Sequence, residues 1–185
     1  MLEKSLAILF ALLILATLIN RFLVWRLPER KGDEVTLRIR TWWGIVICFS
    51  LVISGPRWMT LTFFALISFL ALKEYCTLIS VHFPRWLYWV IPLNYLLIGF
   101  NCFELFLLFI PLAGFLILAT WRVFVGDPSG FLHTVSAIFC GWIMTVFTLS
   151  HAAWLLMLPT INIQGGALLV LFLLALTESN DIAQY

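Results

Sequence analysis

Long runs without a charged residue make up most of this sequence, and they limit its fold more than any other feature. The first run extends from Ser5 to Asn20, and residues 86–120 contain a single charge, that of Glu104. A helix crosses the hydrocarbon core of a bilayer with about 20 apolar residues. Because lipid offers backbone groups no water to bind, segments of this kind are helical. The runs therefore predict an all-α, polytopic transmembrane protein.

Charged residues, prolines and glycines divide the apolar runs into about seven predicted spans. The stretch 86–120 is too long for one span, and we expect two spans that turn at Gly99 to Glu104. A loop is expected from Arg122 to Gly130, where Gly-Asp-Pro-Ser-Gly is typical of turns. The predicted spans are residues 5–20, 42–54, 58–72, two within 86–120, 131–158 and 165–177.

The basic residues predict the orientation of these spans, because Lys and Arg accumulate in cytoplasmic loops. With the N-terminus outside, only Lys4 and Arg57 of the eleven basic residues lie outside, and the other nine are cytoplasmic. The same arrangement makes the C-terminus cytoplasmic. The nine cytoplasmic residues are Arg21, Arg26, Arg30, Lys31, Arg38, Arg40, Lys73, Arg85 and Arg122.

The composition excludes several classes of protein. Hydrophobic residues make up 63% of the chain and charged residues 11%, whereas a soluble domain is about a quarter charged. A water-soluble globule, a disordered chain and a nucleic-acid-binding module are therefore excluded, and the lipid bilayer is the expected partner. A homo-oligomer is possible as well. The four cysteines include no Cys-x-x-Cys pair, which indicates membrane packing rather than a zinc site or a disulfide set.

Tryptophans and a basic segment mark the predicted membrane interfaces. The polar stretch 27–41 either lies along the anionic headgroups or forms a solvated cytoplasmic loop. His133 and His151 lie too far apart on the sixth predicted span to share a metal, and interhelical hydrogen bonds are expected of them. The tryptophans near predicted span ends, which form an aromatic belt, are Trp25, Trp42, Trp43, Trp58, Trp86, Trp89 and Trp121.

A polar cluster follows the last apolar run directly, where a cytoplasmic span end more often carries Lys or Arg. Glu178, Asn180 and Asp181 come immediately after residues 167–177. Carboxylate and amide oxygens are ligands that Mg²⁺ accepts, and Mg²⁺ often needs one or two carboxylates together with substrate phosphates. From the residues alone, the cluster is either a metal- or phosphate-binding site or a solvated helix end.

The C-terminal residues resemble a motif of the phosphatidate cytidylyltransferases, also called CDP-diacylglycerol synthases. In that motif an Asp is followed by a small residue, Ala and Tyr, and here residues 179–185 read Ser-Asn-Asp-Ile-Ala-Gln-Tyr. Two further segments are similar to parts of the family. They are residues 37–41, a basic entry to an apolar span, and residues 72–75, an acid-aromatic pair at a helix end. The chain resembles a bacterial paralogue with an extra N-terminal span, here Leu6 to Trp25.

This resemblance implies an enzyme that transfers CMP from CTP to phosphatidic acid, giving CDP-diacylglycerol and pyrophosphate in phospholipid biosynthesis. It implies Mg²⁺ as cofactor and Asp181 as the catalytic, metal-binding residue. It places the protein in the bacterial inner membrane. Within residues 1–185, taken as a single transmembrane domain, we expect an anchor helix at 5–25, a basic cytoplasmic loop at 26–41 and a cytidylyltransferase-like helical region at 42–185.

Much of the family's signature is absent from these 185 residues, which contain neither its lysine-rich loops nor its second carboxylate cluster. We therefore expect the chain to be the N-terminal part of such an enzyme, truncated at its C-terminus, and to be inactive as a fragment. The alternative function, from a different class, is a non-catalytic lipid-binding or assembly subunit of the membrane.

Overall fold

All the apolar runs of the sequence are helical. The computed structural model describes residues 2–26, 34–79, 83–125, 130–158 and 163–183, and at positions 2–5, 34, 53–54, 163–164, 178–179 and 181–183 it describes the backbone alone. Every regular element in this part of the chain is helical. The prediction of an all-α membrane protein is confirmed.

Nine α-helices follow one another along the described residues, with a 3₁₀ turn and two π-helical turns between some of them. The 3₁₀ turn Arg85–Trp89 leads into α4, and the π-helical turns Phe109–Gly114 and Trp142–Phe147 join α5 to α6 and α7 to α8. The α-helices are α1 Leu2–Arg26, α2 Glu34–Ser54, α3 Arg57–Leu78, α4 Val90–Gly99, α5 Phe103–Leu108, α6 Phe115–Val125, α7 Phe131–Gly141, α8 Thr148–Leu155 and α9 Ile163–Ala183.

Five helical segments of the described residues are long and apolar enough to cross a membrane. They are Leu6–Arg26, Val35–Val52, Arg57–Leu78, Phe103–Val125 and Phe131–Leu155. The shorter apolar helices are α4 and the part Gly165–Thr177 of α9. All seven predicted segments are therefore helical, while the count of seven spans and their orientation stay predictions.

Several helix boundaries differ from the predicted ones. The predicted basic loop at 26–41 is wrong in its second half, because α2 begins at Glu34 and includes Arg38 and Arg40. Residues 34–41 contain neither Gly nor Pro, and Glu and Arg are compatible with a helix, so the helix can include this charged stretch. Residues 27–33 lie outside the described part. The predicted loop at 122–130 starts later, since α6 continues to Val125.

The chain divides into two compact units. Unit 1 comprises Met1–Gly55 and Leu158–Tyr185, and unit 2 comprises Pro56–Met157. The prediction of one transmembrane domain stays a prediction, and each unit is described by itself.

In unit 1, α1 packs against both α2 and α9. Asn20 Nδ2 donates a hydrogen bond to Thr36 Oγ1 at 3.1 Å, and Trp43 Nε1 donates to Thr17 Oγ1 at 3.0 Å. These pairs run in opposite directions along the two helices, so α1 and α2 are antiparallel. Polar contacts of this kind hold helices together in lipid, where the hydrophobic effect between helices is weak.

In unit 2, two antiparallel helix pairs form the core. The pair α3 and α4 is aligned by Arg57 near Asn101 and by Phe69 against Tyr88, with ring centroids 5.5 Å apart. The helical segments 103–125 and 131–155 form the second pair. There the ring of Phe103 stacks on that of Trp154, with ring centroids 4.2 Å apart. The largest fully buried side chains of this core are Leu72, Leu87, Ile98, Phe106, Ile110, Leu118 and Ile138.

The two π-helical turns of unit 2 have identifiable local causes. Pro111 lies inside the first one and has no backbone N–H to donate, so the regular α-helical pattern is interrupted there. In the second, Thr148 Oγ1 donates to the carbonyl of Ile143, five residues earlier, at 2.8 Å. Turns of this type are frequent at functional sites.

Candidate functional site

The predicted site residue Asp181 lies in the last turns of α9. Helix α9 continues to Ala183, beyond its apolar part Gly165–Thr177, so the whole Ser179–Asp181 segment is helical. Positions 178 and 181 are three apart and therefore share a helix face. Asn180 is exposed, while the side chains of Glu178 and Asp181 lie outside the described ones. The catalytic and metal-binding roles of Asp181 stay predictions.

Among the side chains that the structure describes, no group of three or more His, Cys, Asp or Glu residues could hold a metal ion. Glu74 and Glu104 are both exposed. The carboxylates at the end of α9 are among the acidic side chains that the structure does not describe, so this finding does not bear on them.

The cysteines and the two described histidines, His133 and His151, are the other candidate ligands of the sequence. All four cysteines are free thiols, with Cys48 and Cys140 exposed. His133 is exposed on α7, whereas His151 Nδ1 lies 2.7 Å from the Phe147 carbonyl one turn earlier. The predicted interhelical hydrogen bond is wrong for His151, which meets the neighbouring segment through its ring, 5.0 Å from that of Phe106.

A buried polar cluster between α3 and α4 was missed by the sequence reasoning. Ser68 Oγ and Tyr95 Oη are 2.8 Å apart, and both residues are almost fully buried. Asn94, beside Tyr95, is completely buried, and neither its amide nitrogen nor its amide oxygen has a hydrogen-bond partner in the described part of the chain. A buried amide without partners is costly in an apolar environment. Unit 2 therefore contains two buried polar features, the Ser68–Tyr95 pair between α3 and α4 and the amide of Asn94.

A spacing signal in the sequence could have found this cluster. Ser68 lies four residues after Phe64 and four before Leu72, and both of these side chains are buried. Asn94 lies likewise between Val90 and Ile98. Residues four apart share a helix face, so a polar residue between two large apolar ones at this spacing is expected in the core.

The C-terminal end of α4 is held by a residue from the start of α3. Arg57 Nη2 donates to the carbonyl of Ile98 at 2.8 Å and to Asn101 Oδ1 at 2.6 Å. Asn101 has a positive φ of 58°, which ends the helix and starts the turn into α5. The guanidinium thus lies at the negative end of α4, where the Ile98 carbonyl also accepts the backbone N–H of Asn101 at 3.1 Å.

Comparison with known proteins gives a family match over most of the chain. Residues 36–185 match the model of a family described as the cytidylyltransferase family. The matched part begins within α2 and includes α9 with Asp181. No solved structure matches the chain.

A curated relative matches over the full length of the chain. It is a protein of Escherichia coli (strain K12) with the name "Uncharacterized protein YnbB", and it is 94% identical over 185 residues. These residues are 100% of this chain and 62% of the relative, so the chain spans less than two thirds of the relative's length.

Proposed function

Because the chain belongs to the cytidylyltransferase family, we propose that it takes part in transferring CMP from CTP to phosphatidic acid in the membrane. The observation that carries the proposal is the family match over residues 36–185. Family membership supports the use of CTP, and the apolar helices place the protein in the membrane, where a lipid phosphate is found. Phosphatidic acid as acceptor and the role in phospholipid biosynthesis belong to the proposal.

In the proposed reaction, a phosphate oxygen of phosphatidic acid forms a bond to the α-phosphorus of CTP. The bond between that phosphorus and the oxygen leading to the β-phosphate breaks, and pyrophosphate leaves with the electron pair. The protein has to bring two anionic phosphate groups together and align them, because such transfer depends on positioning and charge neutralisation.

Mg²⁺ is the proposed cofactor, and Asp181 is the proposed residue of this chain that holds it. When bound, the ion neutralises charge on the phosphates and orients them. The position of Asp181 on the same helix face as Glu178 supports this role, because two neighbouring carboxylates together with substrate phosphates satisfy Mg²⁺. Both residues follow the apolar part of α9, and in the proposed orientation they face the cytoplasm, where CTP is found.

The bacterial inner membrane is the proposed location. The curated relative is a protein of Escherichia coli, and the chain carries five described helical segments long enough to cross a membrane. A cytoplasmic C-terminus follows from the distribution of basic residues, of which only Lys4 and Arg57 are expected outside.

The activity test uses a chimera in which these 185 residues replace the matching part of the E. coli relative. The purified chimera, in detergent with phosphatidic acid, CTP and Mg²⁺, is expected to form CDP-diacylglycerol and pyrophosphate. Asp181→Ala should abolish this turnover, while Asn180→Ala, a change of the exposed neighbour, should retain it. A chimera that folds but makes no product would contradict the proposal and favour a non-catalytic lipid-binding subunit.

The 185 residues without the rest of the relative serve as a second assay. They lack the family's lysine-rich loops and second carboxylate cluster, so we expect no product from them alone. Robust turnover by the 185 residues would show that these other motifs are dispensable.

A further inference from the structure

Helix α1 precedes the part of the chain that matches the family. The match begins at residue 36, within α2, whereas α1 ends at Arg26. None of the described side chains of α1 is buried, so this helix does not extend the apolar core of unit 1. It packs nevertheless against both α2 and α9, which belong to the matched part. Helix α1 is thus an additional helix that contacts two helices of the family region.

Two polar contacts attach α1 to α2. Trp43 Nε1 donates to Thr17 Oγ1 at 3.0 Å, and Asn20 Nδ2 donates to Thr36 Oγ1 at 3.1 Å. The ring of Phe10 also lies against that of Trp43, with ring centroids 6.1 Å apart. Because lipid is as apolar as the helices themselves, hydrogen bonds between helices are one of the main sources of their association. The position of α1 therefore depends on these two hydrogen bonds, which we call the α1–α2 clasp.

The tilt of α9 determines the position of Asp181, because α9 is one continuous helix from Ile163 to Ala183. The buried residues among the described ones of α9 all lie in its first half, and they are Gly166, Ala167 and Val170. Asp181 follows Val170 by about 16 Å at 1.5 Å per residue, so a tilt of roughly 10° about Val170 displaces position 181 by about 3 Å. Mg²⁺ demands nearly ideal ligand geometry, and such a displacement would remove Asp181 from a metal site.

We propose that α1 is a positioning helix for Asp181. Held to α2 by the α1–α2 clasp, it braces α9 and limits the tilt of that helix in the membrane. Asp181 thereby keeps the place at which it binds Mg²⁺. This inference rests on the proposed function, because that function gives Asp181 its metal-binding role. Helix α1 acts through α9 and is not itself assigned a contact with substrate or metal.

The Mg²⁺ dependence of turnover tests this role in the chimera with the E. coli relative. Thr17→Val combined with Asn20→Leu removes both hydrogen bonds of the α1–α2 clasp with little change in side-chain size. We expect the Mg²⁺ concentration for half-maximal turnover to rise about tenfold, which is typical of losing a group that orients a metal ligand. A loss of folded protein alone would lower turnover at every Mg²⁺ concentration and leave the half-maximal concentration unchanged.

Two control variants separate the clasp from general effects on α1. Ile8→Val combined with Leu15→Val changes two exposed side chains of the same helix and should leave the Mg²⁺ dependence unchanged. Thr17→Ser keeps the hydroxyl that accepts from Trp43, and it should behave like the unsubstituted chimera. If the double clasp variant does not yield folded protein, Thr17→Val alone removes one of the two bonds and should give a smaller rise.

A distance measurement tests the bracing of α9 without reference to activity. Spin labels are attached through Leu18→Cys on α1 and Phe172→Cys on α9, both exposed positions, in a chimera without other cysteines. Double electron–electron resonance then reports the distance between the two helices. We expect one narrow distance distribution, which broadens when Thr17→Val and Asn20→Leu remove the clasp.

The outcomes distinguish this inference from the proposed function. An unchanged Mg²⁺ dependence in a folded clasp variant would overturn the positioning role of α1, and so would a distance distribution that does not broaden. Both results leave the proposed nucleotidyl transfer untouched. A chimera that never forms CDP-diacylglycerol would contradict the proposed function instead, and the distance measurement would still decide whether α1 holds α9 in place.

Discussion

Gly141 lies directly against the ring of Tyr75, so closely that a β-carbon at position 141 would be 2.6 Å from Tyr75 Cε1. The Tyr75 hydroxyl donates at 2.8 Å to the carbonyl of Ala137, one turn before Gly141. A single tyrosine of α3 therefore fixes α7 at two consecutive turns. Gly141 is also the last residue before the second π-helical turn, so this contact positions the point where the helix changes its geometry.

We predict that Gly141→Ala destabilises unit 2 by about 1–3 kcal/mol, because the added methyl group forces the Tyr75 ring or the helix to move. The measurement is the thermal unfolding midpoint in detergent, followed by tryptophan fluorescence. Gly44→Ala is the matched control, since nothing lies within 4 Å of a β-carbon there and alanine favours helix. Equal midpoints for the Gly141→Ala and wild-type proteins would mean that the close contact is relieved at no cost.

The buried hydrogen bond between Ser68 and Tyr95 leads to a second prediction. Ser68→Ala leaves the Tyr95 hydroxyl buried without this partner, which should cost about 1–3 kcal/mol. Combining it with Tyr95→Phe removes both polar groups and should restore part of the loss. A double variant no more stable than Ser68→Ala would argue against this bond as the source of the effect.

The apolar runs made the helices predictable, because lipid leaves the backbone no other spanning structure in this composition. The turn at Gly99 to Glu104 was correct as well, since α4 ends at Gly99 and α5 begins at Phe103. The start of α2 at Glu34 differs from the predicted one, because charged residues continue a helix readily and do not end it.

The candidate site was less predictable than the helices. Asp181 was identified by its resemblance to a motif, and the family match reaches this residue, but its side chain lies outside the described ones. Ser68 and Asn94 were overlooked, because one uncharged polar residue barely changes the hydropathy of a run. Their importance depends on the helix face that they occupy, which composition does not report.

The charge of Arg57 at the end of α4 gives a third prediction. Arg57→Ala removes a donor shared by the Ile98 carbonyl and Asn101 Oδ1, and should lower stability by about 1 kcal/mol. Lys73→Ala, a loss of the same charge at an exposed position, should leave the unfolding midpoint unchanged. If both variants lower the midpoint equally, net charge rather than the contact with α4 is responsible.

The buried amide of Asn94, which has no hydrogen-bond partner among the described residues, predicts a stabilising substitution. Asn94→Leu replaces a buried polar group by an apolar one of similar size, so the desolvation cost of the amide is lost. We expect the free energy of unfolding in detergent to rise by about 1–3 kcal/mol, which raises the unfolding midpoint. A clear loss of stability would show instead that a polar partner, such as a bound water, satisfies this amide in the membrane.

The proposed role of Asp181 predicts how the chimera responds to Mg²⁺. Because a carboxylate that holds the ion lowers the Mg²⁺ concentration needed for turnover, Asp181→Asn should raise that concentration or abolish activity, while membrane insertion stays intact. Chelation with EDTA should stop the unsubstituted chimera, and added Mg²⁺ should restore it. Asn180→Asp is the informative control, since it adds a carboxylate one position away, about 100° around the helix. If Asn180→Asp restores turnover to Asp181→Asn, the site needs only negative charge at this helix end; if it does not, the helix face of Asp181 is what the metal requires.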